Sequence, residues 1–319
     1  MLEIMFTMRK RGLALLVVAT FSIVGARAFG QKKQATPETP PSATSPPDLK
    51  PDANGNLSQE QMQQLFRVVA EKDIENDKRL RDYTYIERDE EHKLDGKGAV
   101  KSTESETFEV VEIYGKPMRR RIAKDDQPLS GKEAAKEEEK LQKALDKRKN
   151  ESDDDRGKRE EKEENEQEEN RKWVREVADA YNFRLIGTEQ IDGRDNWEIQ
   201  GEPRPGYHPQ LKDAKYLPYF RGRVWIDKRD LQLTKMGVEC IDTLAIGLVV
   251  ARLHKGSRLI VEQTRVNDEV WLPKHEAVKL SVRIALFKNV NIDEDDTFRD
   301  YKKFRSSTRI VGVGEVKEK

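Results

Sequence analysis

The chain has 319 residues, and its 60 basic and 60 acidic side chains cancel, so it carries no global field that would draw it to nucleic acid or to an anionic surface. Charged residues make up 38 %, against about a quarter in an ordinary globular protein. The single cysteine, Cys240, excludes an intramolecular disulfide and reads as a small buried apolar residue.

Arg9, Lys10 and Arg11 precede an apolar run from Leu13 to Val24, and Ala26-Arg27-Ala28 follows. A basic start, a run too short to span a bilayer and a small-x-small site predict a cleavable signal peptide over residues 1–28. No cysteine follows the run, so no lipid anchor is expected, and the predicted location is the periplasm. Residues 29–57 are rich in Pro, Thr, Ser and Ala and read as a disordered linker.

Ser58 with Gln61 fits a capping box, and Met62, Leu65, Phe66 and Val69 form one apolar stripe, so an amphipathic helix is predicted over 58–79. Short strands are expected at Tyr83–Ile86, Thr107–Tyr114 and Met118–Ala123. Arg119-Arg120-Arg121 on the last of these reads as a solvated strand face in preference to a phosphate patch.

Residues 131–172 read as a charged insertion into the domain. Lys132–Lys149 is helical by composition. Residues 151–170 hold eleven acidic and four basic side chains and no apolar one, which predicts a solvated helix or a disordered tract.

Trp173, Val174, Val177 and Tyr181 resume helical spacing. Phe183–Gln190 and Trp197–Gln200 then form a hairpin about the turn Asp192–Asn196. Glu202–Gly206 breaks the ladder and opens a loop up to Tyr219. In Phe220–Asp227, Phe220, Gly222, Val224 and Ile226 share one face, and Arg221, Arg223 and Trp225 take the other. Further strands are read at Leu231–Val238, Ser257–Gln263 and Glu269–Pro273, and again where Leu280, Val282, Ile284 and Leu286 alternate with Lys279, Ser281 and Arg283. Phe298, Tyr301 and Phe304 are spaced by three, which suits a helix or a bent strand. About ten strands joined by tight turns imply an antiparallel sheet with one apolar face in an α+β fold, and the helix at 58–79 can cover that face.

Arg184-Leu185-Ile186-Gly187, the turn Asp192-Gly193-Arg194, Trp197, Pro203-Arg204-Pro205 and Arg223-Val224-Trp225-Ile226-Asp227 together resemble the LolA-like superfamily, which includes periplasmic lipoprotein carriers, outer-membrane lipoprotein-sorting proteins and the N-terminal domain of RseB/MucB-type stress regulators. The resemblance covers roughly 58–123 and 173–305, most clearly 183–238. It implies an unclosed, strongly curved antiparallel β-barrel covered by helices over an apolar cavity, here spanning 58–305 with a tail at 306–319. The chain departs from the family pattern in its insertion at 131–172 and in the long apolar run Leu244–Val250.

On that basis the expected function is a non-enzymatic binding protein. Its partner would be an acyl chain, a lipidated protein or another apolar ligand, with transient contact to the membrane or envelope proteins. The alternative is an interaction module with a filled barrel. The candidate site comprises Met62, Leu65, Phe66 and Val69 on the helix with Gly222, Val224, Ile226, Val282, Ile284 and Leu286 on the sheet. Small side chains at Gly222, Ser281 and Ala285 would leave room beside it. The four histidines, His92, His208, His254 and His275, show no metal-ligand spacing, and no nucleophile or phosphate-loop motif occurs. No cofactor, metal or catalytic residue is therefore expected.

Overall fold

The computed structural model describes residues 49–94, 98–113, 116–246, 251–284 and 288–303. The segment read as a signal peptide and the tail at 306–319 lie outside the described residues, as do Leu286 and Phe304. The described chain forms two units, one of residues 49–73 and 161–233 and one of residues 74–160 and 234–303. Among the described residues the fold is mostly antiparallel sheet with helices, and the sheet is not closed into a barrel.

In the first unit the end of the stretch read as a linker forms a strand. β1 (Asn56–Leu57) pairs with Phe183 and Arg184, and Leu57 is buried. The capping box then starts α1 (Gln59–Leu80): the Ser58 N–H donates to Gln61 Oε1 at 3.0 Å and the Gln61 N–H donates to Ser58 Oγ at 3.2 Å. After α1 this unit's sheet runs in the order β1, β6 (Tyr181–Ile191), β7 (Arg194–Pro203), β8 (Phe220–Asp227). Asp192 and Gly193, at φ 48° and 76°, make the two-residue hairpin loop between β6 and β7, where positive φ at both positions matches the strand twist. The ladder continues through Pro203, which pairs with Tyr181, so Pro203 ends the strand and does not interrupt it. Across the hairpin, a side chain at Gly201 would meet the Phe183 ring at 3.0 Å and the Tyr181 ring at 3.4 Å. The two rings cover bare backbone there.

The stretch between Glu202 and Tyr219 is more than a loop. A 3-10 helix at Lys212–Tyr219 buries Ala214 and Leu217, and the Tyr181 hydroxyl donates to the Leu217 carbonyl at 2.8 Å. Buried Glu176 holds the preceding turn by accepting the Tyr207 hydroxyl and the N–H groups of Gln210 (2.6 Å) and Leu211 (3.3 Å).

In the second unit the strand order is β9 (Leu233–Cys240), β12 (Arg258–Val266), β13 (Val270–Ile284), β14 (Lys288–Lys303), β2 (Tyr83–Leu94), β3 (Val100–Ile113), β4 (Lys116–Lys124), β5 (Gln127–Pro128). β11 (Ala251–Leu253) pairs with β13 and with β10 (Leu244–Ile246). The stretches read as two strands at 269–273 and 279–286 are parts of β13. The register shifts where Gln263 faces Pro273 and Glu262 faces His275, so Lys274 is an extra residue that breaks the alternation. A second irregularity settles the aromatic spacing near the end. The register jumps between Arg299 and Lys302, with Asp300 at φ 58°, and this places Phe298 and Tyr301 on one face of a bent strand. Both pack on Tyr85, with ring centroids at 6.3 and 5.2 Å.

The charged stretch forms two helices, broken at residues 150–152. α2 (Gly131–Lys149) begins at the Ser130/Glu133 capping box and packs on β4 through Glu138, 3.3 Å from Arg120. Its Leu141 and Glu137 are buried. α3 (Asp153–Ala180) is exposed over its first turn, and its last turns deliver Trp173, Val177 and Ala180 to the first unit's core. No helix among the described residues is long and apolar enough to cross a membrane. Cys240 is buried, its thiol donates to the Asp242 carbonyl at 2.9 Å, and burial pushes that thiol up to about 11.

Candidate functional site

The helix stripe and the alternating strand meet as their periodicities require. Met62, Leu65 and Ile226 are 0 % exposed in one cluster with Leu57, Tyr181, Phe183 and Ile199. Side chains that no water-sized sphere can touch border neither solvent nor a wet cavity, so this centre is filled. Phe66, Val69 and Val224 pack at its margin and stay partly exposed, with Phe66 edge-on to Phe183 at 5.2 Å between ring centroids. Gly222 sits on β8 opposite Gly201. Among the other expected site residues, Val282 is buried in the second unit, registered with Leu253 and Val290. Ile284 lies on β13 opposite Ala251, also in the second unit.

The outer face of β8 is a ladder of polar pairs. Arg223 Nη1 donates to Glu198 at 2.7 Å, and the Trp225 indole N–H donates to Glu189 at 2.6 Å. A groove of about 200 Å³ is lined by Asn56, Asn182, Phe183, Arg184, Gln200 and Glu202.

Two residues of the sequence pattern that resembles the LolA-like superfamily turn out to hold each other. Arg194, just after the Gly193 turn, donates from Nε to Asp227 Oδ2 at 2.6 Å and from Nη2 to Oδ1 at 2.8 Å. Asp227, 1 % exposed, also accepts the N–H groups of Arg229 (3.0 Å) and Asp230 (2.6 Å) and so closes the turn after β8. Burial raises its carboxyl, but Arg194 and those N–H groups outweigh burial and hold it below the usual range. The motif fixes the hairpin to the next strand.

The second unit contains a group that sequence reasoning missed. Tyr83, Tyr85, Glu87 and Asp89 alternate onto one face of β2, and the acids continue across three neighbouring strands. Glu276 faces Asp296, Asp296 faces Asp89, and Asp89 faces Glu106. Like charges directly opposite one another destabilise a sheet. Glu87 and Glu276 are 1 % and 4 % exposed. Arg119 lies 2.9 Å from Glu87 and 2.6 Å from Asp89 and stacks on the Phe108 ring at 3.8 Å. Arg121 pairs with Glu106, and Arg120 pairs with Glu109. The arginine run is thus paired and partly buried, in contrast to the solvated face expected of it. The signal for this cluster was the period of two: Tyr83, Tyr85, Glu87 and Asp89 fall in phase, but a run of acids reads as solvent-facing.

Burial and the neighbouring carboxylates lift Glu87 and Asp296 well above the carboxylate range, Arg119 notwithstanding for Glu87, and burial with Asp89 lifts Glu276 to about 7. A carboxyl raised on folding holds its proton longer in the folded state, so its contribution is greatest below the unfolded value near 4 and is lost as pH rises through the folded value. Thermal stability should therefore fall between about pH 5 and pH 8, by about 1.4 kcal/mol per pH unit for each proton the folded state retains. Melting curves across that range check the expectation, and Glu276→Gln should flatten them. A flat or rising wild-type profile contradicts the burial of these acids.

Among the described residues, no group of three His, Cys, Asp or Glu side chains is placed to hold a metal ion. No family model and no curated protein matches the chain. Solved structures do. The chain is similar to a domain described as an outer membrane lipoprotein-sorting protein from Vibrio parahaemolyticus, at 10 % identity and TM-score 0.32, covering 78 % of this chain and 94 % of that one. A DUF1329 family protein from Desulfovibrio piger is similar at 13 % identity and TM-score 0.28, covering 79 % and 95 %. A LolA superfamily protein from Nitrosomonas europaea is similar at 9 % identity and TM-score 0.27, covering 76 % and 94 %.

Proposed function

We propose that the chain is an exported, non-enzymatic binding protein that holds an acyl chain or a lipidated protein at the margin between α1 and the first unit's sheet. The observation that carries this reading is the half-open rim of Phe66, Val69 and Val224 around a filled apolar centre. An alkyl chain laid on that rim would remove further apolar area from water at about 25 cal/mol per Å². The basic start and the Ala26-x-Ala28 site support export, and intact-mass analysis of the mature protein should give a chain starting at Phe29. A fluorescent fatty acid should bind and be displaced by unlabelled fatty acid. Val69→Gln should abolish the signal with little change in melting temperature, since Val69 sits at the rim. Absence of probe binding to the wild-type chain overturns the reading.

One observation favours a second reading, an envelope-stress or structural interaction module. Met62, Leu65 and Ile226 are already filled against one another, so the unit can act through its surface alone. In that case the fatty-acid probe stays free in the wild type.

A further inference from the structure

Among the described residues, arginines on the strands of the second unit are paired with acids, with two exceptions. Arg119, Arg120, Arg121, Arg258 and Arg265 each have a carboxylate within 3.9 Å. Arg252 on β11 and Arg283 on β13 instead stand directly opposite each other in the antiparallel register, both exposed. The polar contact of this pair is one hydrogen bond, from Arg283 Nε to Asn289 Oδ1 at 3.2 Å, and no carboxylate of the described residues reaches either guanidinium. Like charges directly opposite one another destabilise a sheet, so an anion held between the two relieves a cost that the fold leaves in place.

The surroundings favour such an anion. Arg252 and Arg283 belong to a row that runs Ala245, Arg252, Arg283, Asn289 across four neighbouring strands. The row beyond it, Ile246, Ala251, Ile284 and Lys288, is the last before the strands are joined, and neither row holds an acid. In a chain with 60 acidic side chains, this makes one end of the sheet locally positive although the net charge is zero. The connections at that end are apolar in sequence. β10 runs on to β11 through Gly247-Leu248-Val249-Val250, and β13 to β14 through Ala285-Leu286-Phe287, stretches without a polar side chain that lie outside the described residues. A free phosphate ion would engage the arginines but offers nothing to these connections. A lipid surface takes the positive charge at its headgroups and apolar side chains just beneath them.

We propose that Arg252 and Arg283 bind the phosphate groups of an anionic lipid surface, which docks this end of the second unit's sheet on a membrane. Each guanidinium can meet a phosphate through two parallel hydrogen bonds. This surface lies in the second unit and does not depend on an acyl ligand at the first unit's rim.

Flotation of the mature chain with vesicles of equimolar phosphatidylglycerol and phosphatidylcholine should show binding that pure phosphatidylcholine does not support and that falls as salt rises. Arg252→Gln and Arg283→Gln should each weaken it by about fivefold, the share of one basic side chain at an anionic surface. Neither should lower the melting temperature, because each removes one of two facing like charges. Arg223→Gln, which takes the same charge from the first unit's polar ladder, should leave vesicle binding unchanged, as should Val69→Gln at the apolar rim. No binding to the anionic vesicles, equal binding to both vesicle types, or equal weakening by Arg223→Gln overturns the proposal. Isothermal titration with inorganic phosphate separates the other source of the anion. Saturable heat that Arg252→Gln removes, without vesicle binding, assigns the pair to a free anion and overturns the lipid reading.

Discussion

Replacing Ile226 by alanine should destabilise the first unit by about 2–5 kcal/mol, the range for removing a fully buried branched side chain from a core that relaxes only in part. Ile226 is 0 % exposed, pairs across the sheet with Trp197, and packs with Met62 and Leu65 of α1. The cost therefore combines lost transfer energy with a void that three separate elements would have to close. Arg223→Ala, three positions earlier on the same strand, is the internal control. Its guanidinium pairs with Glu198 at 2.7 Å, but 46 % of the side chain is exposed, and such pairs are worth under about 1 kcal/mol. Urea unfolding with an unchanged slope measures both. The reverse ranking would mean that β8 is one residue out of register, since a single-residue slip exchanges the two faces.

The second large effect is expected at Arg194. Arg194→Ala should cost about 3–5 kcal/mol, because it leaves the Asp227 carboxylate buried without its bidentate partner. Asp227→Asn should cost less, since the amide oxygen still accepts the N–H groups of Arg229 and Asp230. The effect has a pH signature. Asp227 is depressed in the folded state, so the pair contributes above the unfolded value near 4 and its contribution is lost as pH falls through the folded value. The deficit of Arg194→Ala should accordingly shrink as pH falls below the usual carboxylate range. A deficit that persists unchanged in acid would show that Arg194 acts through packing of its stem.

The sequence was legible wherever one period governed one element. The Ser58 cap, the stripe from Met62 to Val69 and the alternation in Phe220–Asp227 each follow from local spacing, and each is present. It was less legible where an extra residue breaks the period. Lys274 splits β13 into two apparent strands, and the irregularity at Asp300 gives Phe298 and Tyr301 a helical spacing on a strand. The partnership of Arg194 with Asp227 lies 33 residues apart and needs the strand order β6, β7, β8 before it can be seen. The acidic row was hidden for a different reason. Glu87, Asp89, Glu276 and Asp296 come from three strands, and each alone reads as solvent-facing; only their cross-strand register puts them together. Of the candidate site, the helix stripe, Val224 and Ile226 were readable as one apolar face. The split of the sheet residues between two units was not, because nothing local marks it.

The measurement that bears most directly on the proposed function is native mass spectrometry of the mature chain purified gently from cell envelopes. The account predicts a fraction carrying the added mass of an acyl chain or a lipidated polypeptide, released on unfolding and missing from Val69→Gln. A single unliganded mass for the wild-type chain, identical to that of the variant, would contradict it.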